Sequence, residues 1–290
     1  MQPNIKKVAA IHDICGFGRA SLTTIIPTLS AMGIQVCPVP TAVLSTHSGE
    51  FTGYTFHDLT EIMPAYTAHW KSIGLRFEGI YSGFLGSPRQ VDIVRDIIRD
   101  FRTPGTLVVV DPVMGDDGEL YQSVDAGMVR EMRRLVAAAD IIVPNFTEAA
   151  LLLGREQKPA LSVSESKDWL KRLADFGPGT VMITSLPDAD KPDMINVDAY
   201  ERDGDAFWRV STRRQPCVYP GTGDLFASVL MGNLLRGESL PVCIDHAVQF
   251  VSQCIMASRG YDYPQHYGVL LEKELPLLRE ANLICGYETL

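Results

Sequence analysis

The sequence predicts an α/β fold with a central, mostly parallel β-sheet flanked by helices on both faces. Three observations point there. Short continuous apolar runs recur along the chain, of a length that suits strands buried on both faces. Longer segments with helical spacing separate them, which is the alternation of a doubly wound sheet. Polar and glycine-rich residues follow nearly every apolar run, and open α/β sheets bind their ligands at those strand ends.

The strands are expected at residues 8–11, 35–38, 79–82, 107–111, 141–144 and 181–184. Helical spacing covers 21–32, 91–101, 126–138 and 166–176. Residues 196–211 read as a β-hairpin with Gly204 in the turn region. After Gly221 the pattern is mainly helical, at 225–235, 242–258 and 270–280. A length of 290 residues suits one large α/β domain or two ordinary ones. With no repeat, low-complexity tract or shift in composition, residues 1–290 are assigned to a single domain.

Composition excludes several function classes. The chain is 46% apolar and 21% charged, as globular proteins are. Its 26 basic against 35 acidic residues leave a formal charge of −9, which disfavours nucleic acid and anionic membranes as partners. The only basic pairs singled out, Arg133-Arg134 and Arg213-Arg214, are isolated and read as solvated faces. No apolar run approaches the ~18 residues of a membrane span. The stretch from Met1 to Lys7 leads into an apolar run of only four residues, too short for a signal peptide. Six cysteines, at 15, 37, 217, 243, 254 and 285, form no Cys-x-x-Cys pair, so reduced thiols and a cytoplasmic location are expected.

Gly16-Phe17-Gly18-Arg19-Ala20-Ser21 resembles a dinucleotide fingerprint, but Ser21 replaces its third glycine and residues 36–42 offer no acid for a ribose. A tight strand-to-helix turn near a ligand is the better reading. Asp175-Phe176-Gly177 lacks the rest of a protein-kinase signature, and without a Gly-Lys dipeptide there is no Walker A loop. Pro220-Gly221-Thr222-Gly223-Asp224 is more informative. Its glycines allow amides to turn inward where an amphipathic helix begins, a suitable seat for a phosphoryl group. From this segment alone Asp224 is either a helix N-cap or part of an anion site. Asp111 and Asp116 add carboxylates after an apolar strand, and Asn145 with Glu148 adds a third carboxylate or a capping pair. Together they suit Mg²⁺ and the phosphates of ATP.

These segments occur in a family order. Ile11-His12-Asp13, Ser45-Thr46-His47-Ser48, the stretch from Ser82 to Ser87, Asp111-Pro112-Val113-Met114-Gly115, Pro144-Asn145-x-x-Glu148, Ile183-Thr184-Ser185 and Gly221-Thr222-Gly223-Asp224 resemble pyridoxal kinases of the ribokinase-like superfamily over nearly the whole chain. The likeness is greatest to bacterial pyridoxamine and pyridoxal kinases. It implies a ribokinase-like fold, ATP and Mg²⁺ as cosubstrates, K⁺ in many relatives, and a homodimer. It implies Asp224 as catalytic base, Gly221, Thr222 and Gly223 as the anion hole, and Asp111, Asn145, Glu148 and Ser185 around the nucleotide phosphates. Of these, Asp111 and Glu148 would serve the metal. Tyr121 matches a nucleotide-side tyrosine, and Asp13, Ser48, Phe84 and Asp224 fall on the vitamin side, with residues 44–54 as a flap.

The chain departs from the family pattern at two of these places. Asp13 stands where many members have serine, and Phe84 where several have tyrosine. An ionised Asp13 would meet a cationic group, the pyridoxamine ammonium or a protonated ring nitrogen, or else it caps the turn near Cys15 and Gly16. The segment Cys217-Val218-Tyr219-Pro220 lacks the paired cysteines of a dual-specificity subgroup. The activity implied is ATP-dependent phosphorylation of the 5′-hydroxymethyl group of a B6 vitamer. The alternatives are a hydroxymethylpyrimidine kinase and a non-catalytic vitamin- or nucleotide-binding protein, the latter opposed by an intact Asp224.

Overall fold

The computed structural model describes residues 5–49, 51–122, 124–279 and 286–290. Its first part runs β1 (Lys7–Phe17), α1 (Leu22–Ala31), β2 (Gln35–Thr46), β3 (Phe56–Asp58), α2 (Met63–Ser72), β4 (Gly79–Ser82), α3 (Pro88–Phe101) and β5 (Leu107–Val110). A small hairpin follows, β6 (Gly115–Asp116) and β7 (Glu119–Leu120), then α4 (Ala126–Val136), β8 (Ile141–Ile142), α5 (Phe146–Leu153) and α6 (Val163–Ala174). The remainder is β9 (Thr180–Pro187), β10 (Met194–Glu201), β11 (Ala206–Arg213), α7 (Thr222–Arg236), α8 (Leu240–Arg259), short 3₁₀ turns and β12 (Tyr287–Thr289).

Ten strands form one sheet in the order β12-β11-β10-β9-β8-β5-β4-β1-β2-β3. The six central strands, β2, β1, β4, β5, β8 and β9, run parallel, and antiparallel strands finish both edges. Alternation along β1 explains the two cores. Ala9 and Ile11 join apolar residues of α3 to α6 on one face, whereas Val8 and Ala10 join those of α1, α7 and α8 on the other. This ribokinase-like α/β arrangement is the fold expected from the sequence.

Several boundaries differ from expectation, each for a physical reason. The first strand does not end at His12; it runs on to Phe17, with a register shift between His12 and Ile14. Burial lowers the His12 pKa to about 3, so a neutral ring sits within the strand at no charge cost. Strand β2 likewise continues past 38 to Thr46, taking in the start of the expected flap. The expected helix at 270–280 is instead two 3₁₀ segments, Leu271–Lys273 and Leu275–Arg279, with Glu280 outside the described residues. Helices α2 and α5 and strand β12 were not expected. Helix α7 is buried nearly all round from Leu225 to Asn233, so it is a core helix rather than an amphipathic surface one. Helix α8 is long and apolar enough, by length and composition alone, to cross a membrane, but it packs on α7 and buries Cys243, Ile244, Ala247, Val248 and Phe250. The described cysteines are all free thiols; Cys285, like residues 1–4 and Glu50 of the flap, lies outside the described residues.

Candidate active site

The carboxyl ends of the parallel strands and the first turn of α7 meet at one side of the sheet. Gly221 caps α7 in the left-handed region, at φ 79°, and a β-carbon there would lie 2.0 Å from the Arg19 carbonyl oxygen. Only glycine lets residues 19–21 approach the start of the helix so closely. Gly223 has no such demand; its missing side chain leaves open the space towards Asp111 Oδ2.

Asp224 is the third residue of α7 and not its cap. Its Oδ2 accepts the Ser21 amide at 2.7 Å, so the carboxylate is tied to a distant turn and leaves its own helix amides free. The side chain is 14% exposed, and His12 Nδ1 stands 3.7 Å from Oδ1, beyond hydrogen-bonding range. Burial raises the Asp224 pKa to about 7, against the Ser21 hydrogen bond that lowers it, and the nearby Asp13 charge adds to the rise. A carboxylate so tuned is poised to take a proton near neutral pH.

Asn145 and Glu148 form a reciprocal capping box at the start of α5. Glu148 does more than cap. Its Oε2 accepts the Asn145 amide at 2.8 Å and its Oε1 the Met114 amide at 3.0 Å, while Asn145 Nδ2 donates to the Gly115 carbonyl at 2.8 Å. The pair therefore pins the loop carrying Asp111 and Asp116 against the helix. Burial pushes Glu148 up to about 8, and burial with the Glu148 and Asp224 charges holds Asp111 well above the usual carboxylate range.

Asp111, Asp116, Tyr121, Asn145, Glu148, Ser185, Gly221, Thr222, Gly223 and Asp224 all line one cavity of about 500 Å³. Three residues expected on the vitamin side lie outside that lining. Asp13 is buried in β1, where its carboxylate accepts the Ser21 hydroxyl and the Cys15 thiol rather than backbone amides near Cys15 and Gly16. Ser48 is exposed, and Phe84 follows β4 with its carbonyl accepting the Thr41 hydroxyl at 3.2 Å.

Sequence reasoning passed over part of the cavity wall. Val248, Val251 and Ile255 of α8 line it, as do Ile195, Val197, Arg213 and Arg214. An apolar stripe facing a cavity has the same spacing as one facing a core, so nothing marked the helix residues. The two arginines read as a solvated pair, and His12 as a break in the strand.

No group of three metal-ligating side chains stands together among the described residues. The donor set nevertheless suits a cation shared with a ligand: the Glu148 and Asp224 charges raise the cost of ionising buried Asp111, which a divalent ion would offset.

A model of the family described as phosphomethylpyrimidine kinase matches residues 18–269. The chain belongs to the phosphomethylpyrimidine kinase family. Its similarity to pyridoxal kinases is extensive. A Bacteroides thetaiotaomicron protein described as a phosphomethylpyrimidine kinase and crystallised with pyridoxal is 49% identical; the match covers 99% of this chain and all of that one, with a TM-score of 0.96. The pyridoxal kinase of Lactobacillus plantarum is 30% identical over 95% of this chain and 97% of its own, with a TM-score of 0.85. The pyridoxal kinase PdxY of Rubrobacter xylanophilus is 29% identical over 98% of this chain and 93% of its own length. These likenesses place the family member among the pyridoxal kinases, whose fold it shares.

Proposed function

We propose that this family member phosphorylates the 5′-hydroxymethyl group of a B6 vitamer, using ATP with Mg²⁺. One observation carries the reading: Asp224 stands at the amide-rich start of α7, in the same cavity as Asp111 and Glu148, and is not consumed as a helix cap. This supports reading Asp224 as a proton acceptor beside an anion seat.

In the proposed reaction Asp224 takes the hydroxymethyl proton as that oxygen attacks the γ-phosphorus in line, and ADP leaves with the bridging oxygen. The amides at Gly221, Thr222 and Gly223, with the positive end of the α7 dipole, stabilise charge on the transferred group. Asp111 would hold Mg²⁺ and Glu148 would act mainly through its waters, both Glu148 oxygens already accepting amides; the ion would supply neutralisation of phosphate charge. Tyr121, Asn145 and Ser185 orient the nucleotide, and the α8 wall of Val248, Val251 and Ile255 offers its base an apolar face. Ser48 and Phe84 are assigned to the vitamin side on the family resemblance, with residues 44–54 excluding water; Asp13, which the resemblance also implies there, has both its oxygens engaged within the protein. The same resemblance supports K⁺ as a second ion, a homodimer and one domain over 1–290, and the free described thiols agree with a cytoplasmic location.

The test is ADP release measured with pyridoxal, pyridoxamine, pyridoxine and hydroxymethylpyrimidine. Turnover on at least one B6 vitamer above that on hydroxymethylpyrimidine supports the proposal. Turnover on hydroxymethylpyrimidine alone favours the thiamin-precursor kinase, and binding without turnover of any of them favours a non-catalytic protein.

A further inference from the structure

We infer that Asp13 is a positioning residue for Asp224 and acts on it through Ser21. The inference rests on Asp224 being the base of the proposed reaction, and it gives Asp13 a part other than recognition of the vitamer.

Ser21 adopts φ 52° and ψ −135°, a conformation that residues with side chains rarely hold without support. Four hydrogen bonds supply that support. The Ser21 carbonyl accepts the amides of Thr24 and Ile25, both at 3.0 Å, which starts α1. Its hydroxyl donates to Asp13 Oδ1, and its amide donates to Asp224 Oδ2 at 2.7 Å. The backbone torsion and the aim of the amide are one property, so whatever holds the torsion holds the base.

Asp13 is well placed for that task and poorly placed for a ligand. It is 5% exposed, Ser21 is 8% exposed, and Asp13 stands outside the cavity lining. Its second oxygen accepts the Cys15 thiol at 3.3 Å, so both oxygens are engaged within the protein. Asp13 of β1 is thus linked to Asp224 of α7 by hydrogen bonds through Ser21. The chemistry at the two positions is linked. Glycine at 21 would take this torsion unaided and need no anchor, whereas serine needs an acceptor at the position of Asp13. Misplacing a base by a fraction of its hydrogen-bond length lowers turnover without touching ground-state binding.

The experiment measures kcat and KM for pyridoxal and pyridoxamine in wild type, Asp13→Ala, Asp13→Asn, Ser21→Gly and the Asp13→Ala/Ser21→Gly double variant. Asp13→Ala is expected to lower kcat by about 10–100-fold with vitamer KM within about twofold. Asn still accepts the Ser21 hydroxyl, so Asp13→Asn should recover most of that loss. Ser21→Gly sets its own baseline, and adding Asp13→Ala to it should change kcat by less than about threefold, because the two act as a unit. The inference is overturned if Asp13→Ala raises KM at constant kcat, if it changes the pyridoxamine-to-pyridoxal ratio, or if its loss is undiminished in the Ser21→Gly background. Should Asp13→Ala not fold, the double variant decides: folding with kcat near that of Ser21→Gly supports the inference, and failure to fold overturns it. A wild-type protein inactive on every vitamer would instead contradict the proposed function, an outcome seen before any variant is made.

Discussion

The amide of Ser21 donates to Asp224 Oδ2 at 2.7 Å across 203 residues of sequence. The turn after the first strand and the first turn of the seventh helix are therefore one structural unit, closed only when the two ends of the chain pack. It explains why a side chain 14% exposed, beside a neutral histidine, can remain a carboxylate with a titration near neutrality.

A pH dependence follows from that titration. Burial raises Asp224 from 3.8 to about 7, and the ionised form is the base. Turnover should therefore fall as pH drops below about 7 and level off above it. The stability sign is opposite: the folded chain keeps a proton that the unfolded chain has lost between 3.8 and 7, so this group makes stability fall as pH rises through that window. A kcat/KM profile flat from about pH 5 to 8 would contradict the assignment of Asp224.

Glu148 gives a second pH-linked expectation. Its pKa of about 8 lies above 4.5, so without a cation the folded chain loses stability as pH rises from 4.5 to 8. A divalent ion favours the ionised form and should offset that loss. MgCl₂ is expected to raise Tm more at pH 8 than at pH 6, and Glu148→Gln to raise the Mg²⁺ requirement for turnover with little change in vitamer Kd. Equal Tm gains at both pH values, with an unchanged Mg²⁺ curve in the variant, would leave Glu148 as the pin of the Met114 loop alone.

How much of this was legible in the sequence depended on residue type. That Asp111, Asn145, Glu148 and Asp224 come together was legible because each lies shortly after a strand or within a glycine-rich turn, at the sheet edge where open α/β sheets bind ligands. The role of Asn145 and Glu148 as a capping box was open beforehand, and the box is present, with Glu148 also holding Met114. The extent of β1 was not legible, since His12 and Asp13 look like a polar break until burial keeps the histidine neutral and internal hydrogen bonds satisfy the aspartate. Nor was Ser21: its left-handed φ is a property of tertiary contact and not of serine. The α8 wall was hidden by the identity of core and cavity spacing.

Gly221→Ala should be costly. A β-carbon would fall 2.0 Å from the Arg19 carbonyl oxygen, at a φ of 79° that alanine adopts only under strain. The strain alone costs about 1–3 kcal/mol, and displacement of residues 19–21 would move the Ser21 amide as well. Thermal unfolding and kcat measured together check this; a variant with wild-type Tm and turnover would contradict the close approach.

The buried ion pair of Asp198 with Arg209 is expected to support the fold without serving the chemistry. Arg209 reaches both Asp198 oxygens at 2.7 Å, Ser166 donates to the same carboxylate, and the Asp198 side chain is fully buried. Arg209→Ala strands that charge and should cost about 3–5 kcal/mol in denaturant unfolding. A loss below about 1 kcal/mol would show that the pair is solvated or replaceable.

The central claim is that Asp224 accepts the proton of the alcohol being phosphorylated, and Asp224→Asn tests it most directly. The amide can still accept the Ser21 hydrogen bond through its oxygen, so the fold and the local tie are retained while the base is lost. On whichever B6 vitamer wild type turns over, kcat should fall by about 10²–10⁴ with Tm and vitamer Kd little changed. A folded Asp224→Asn protein that keeps more than about a tenth of wild-type kcat would contradict the account.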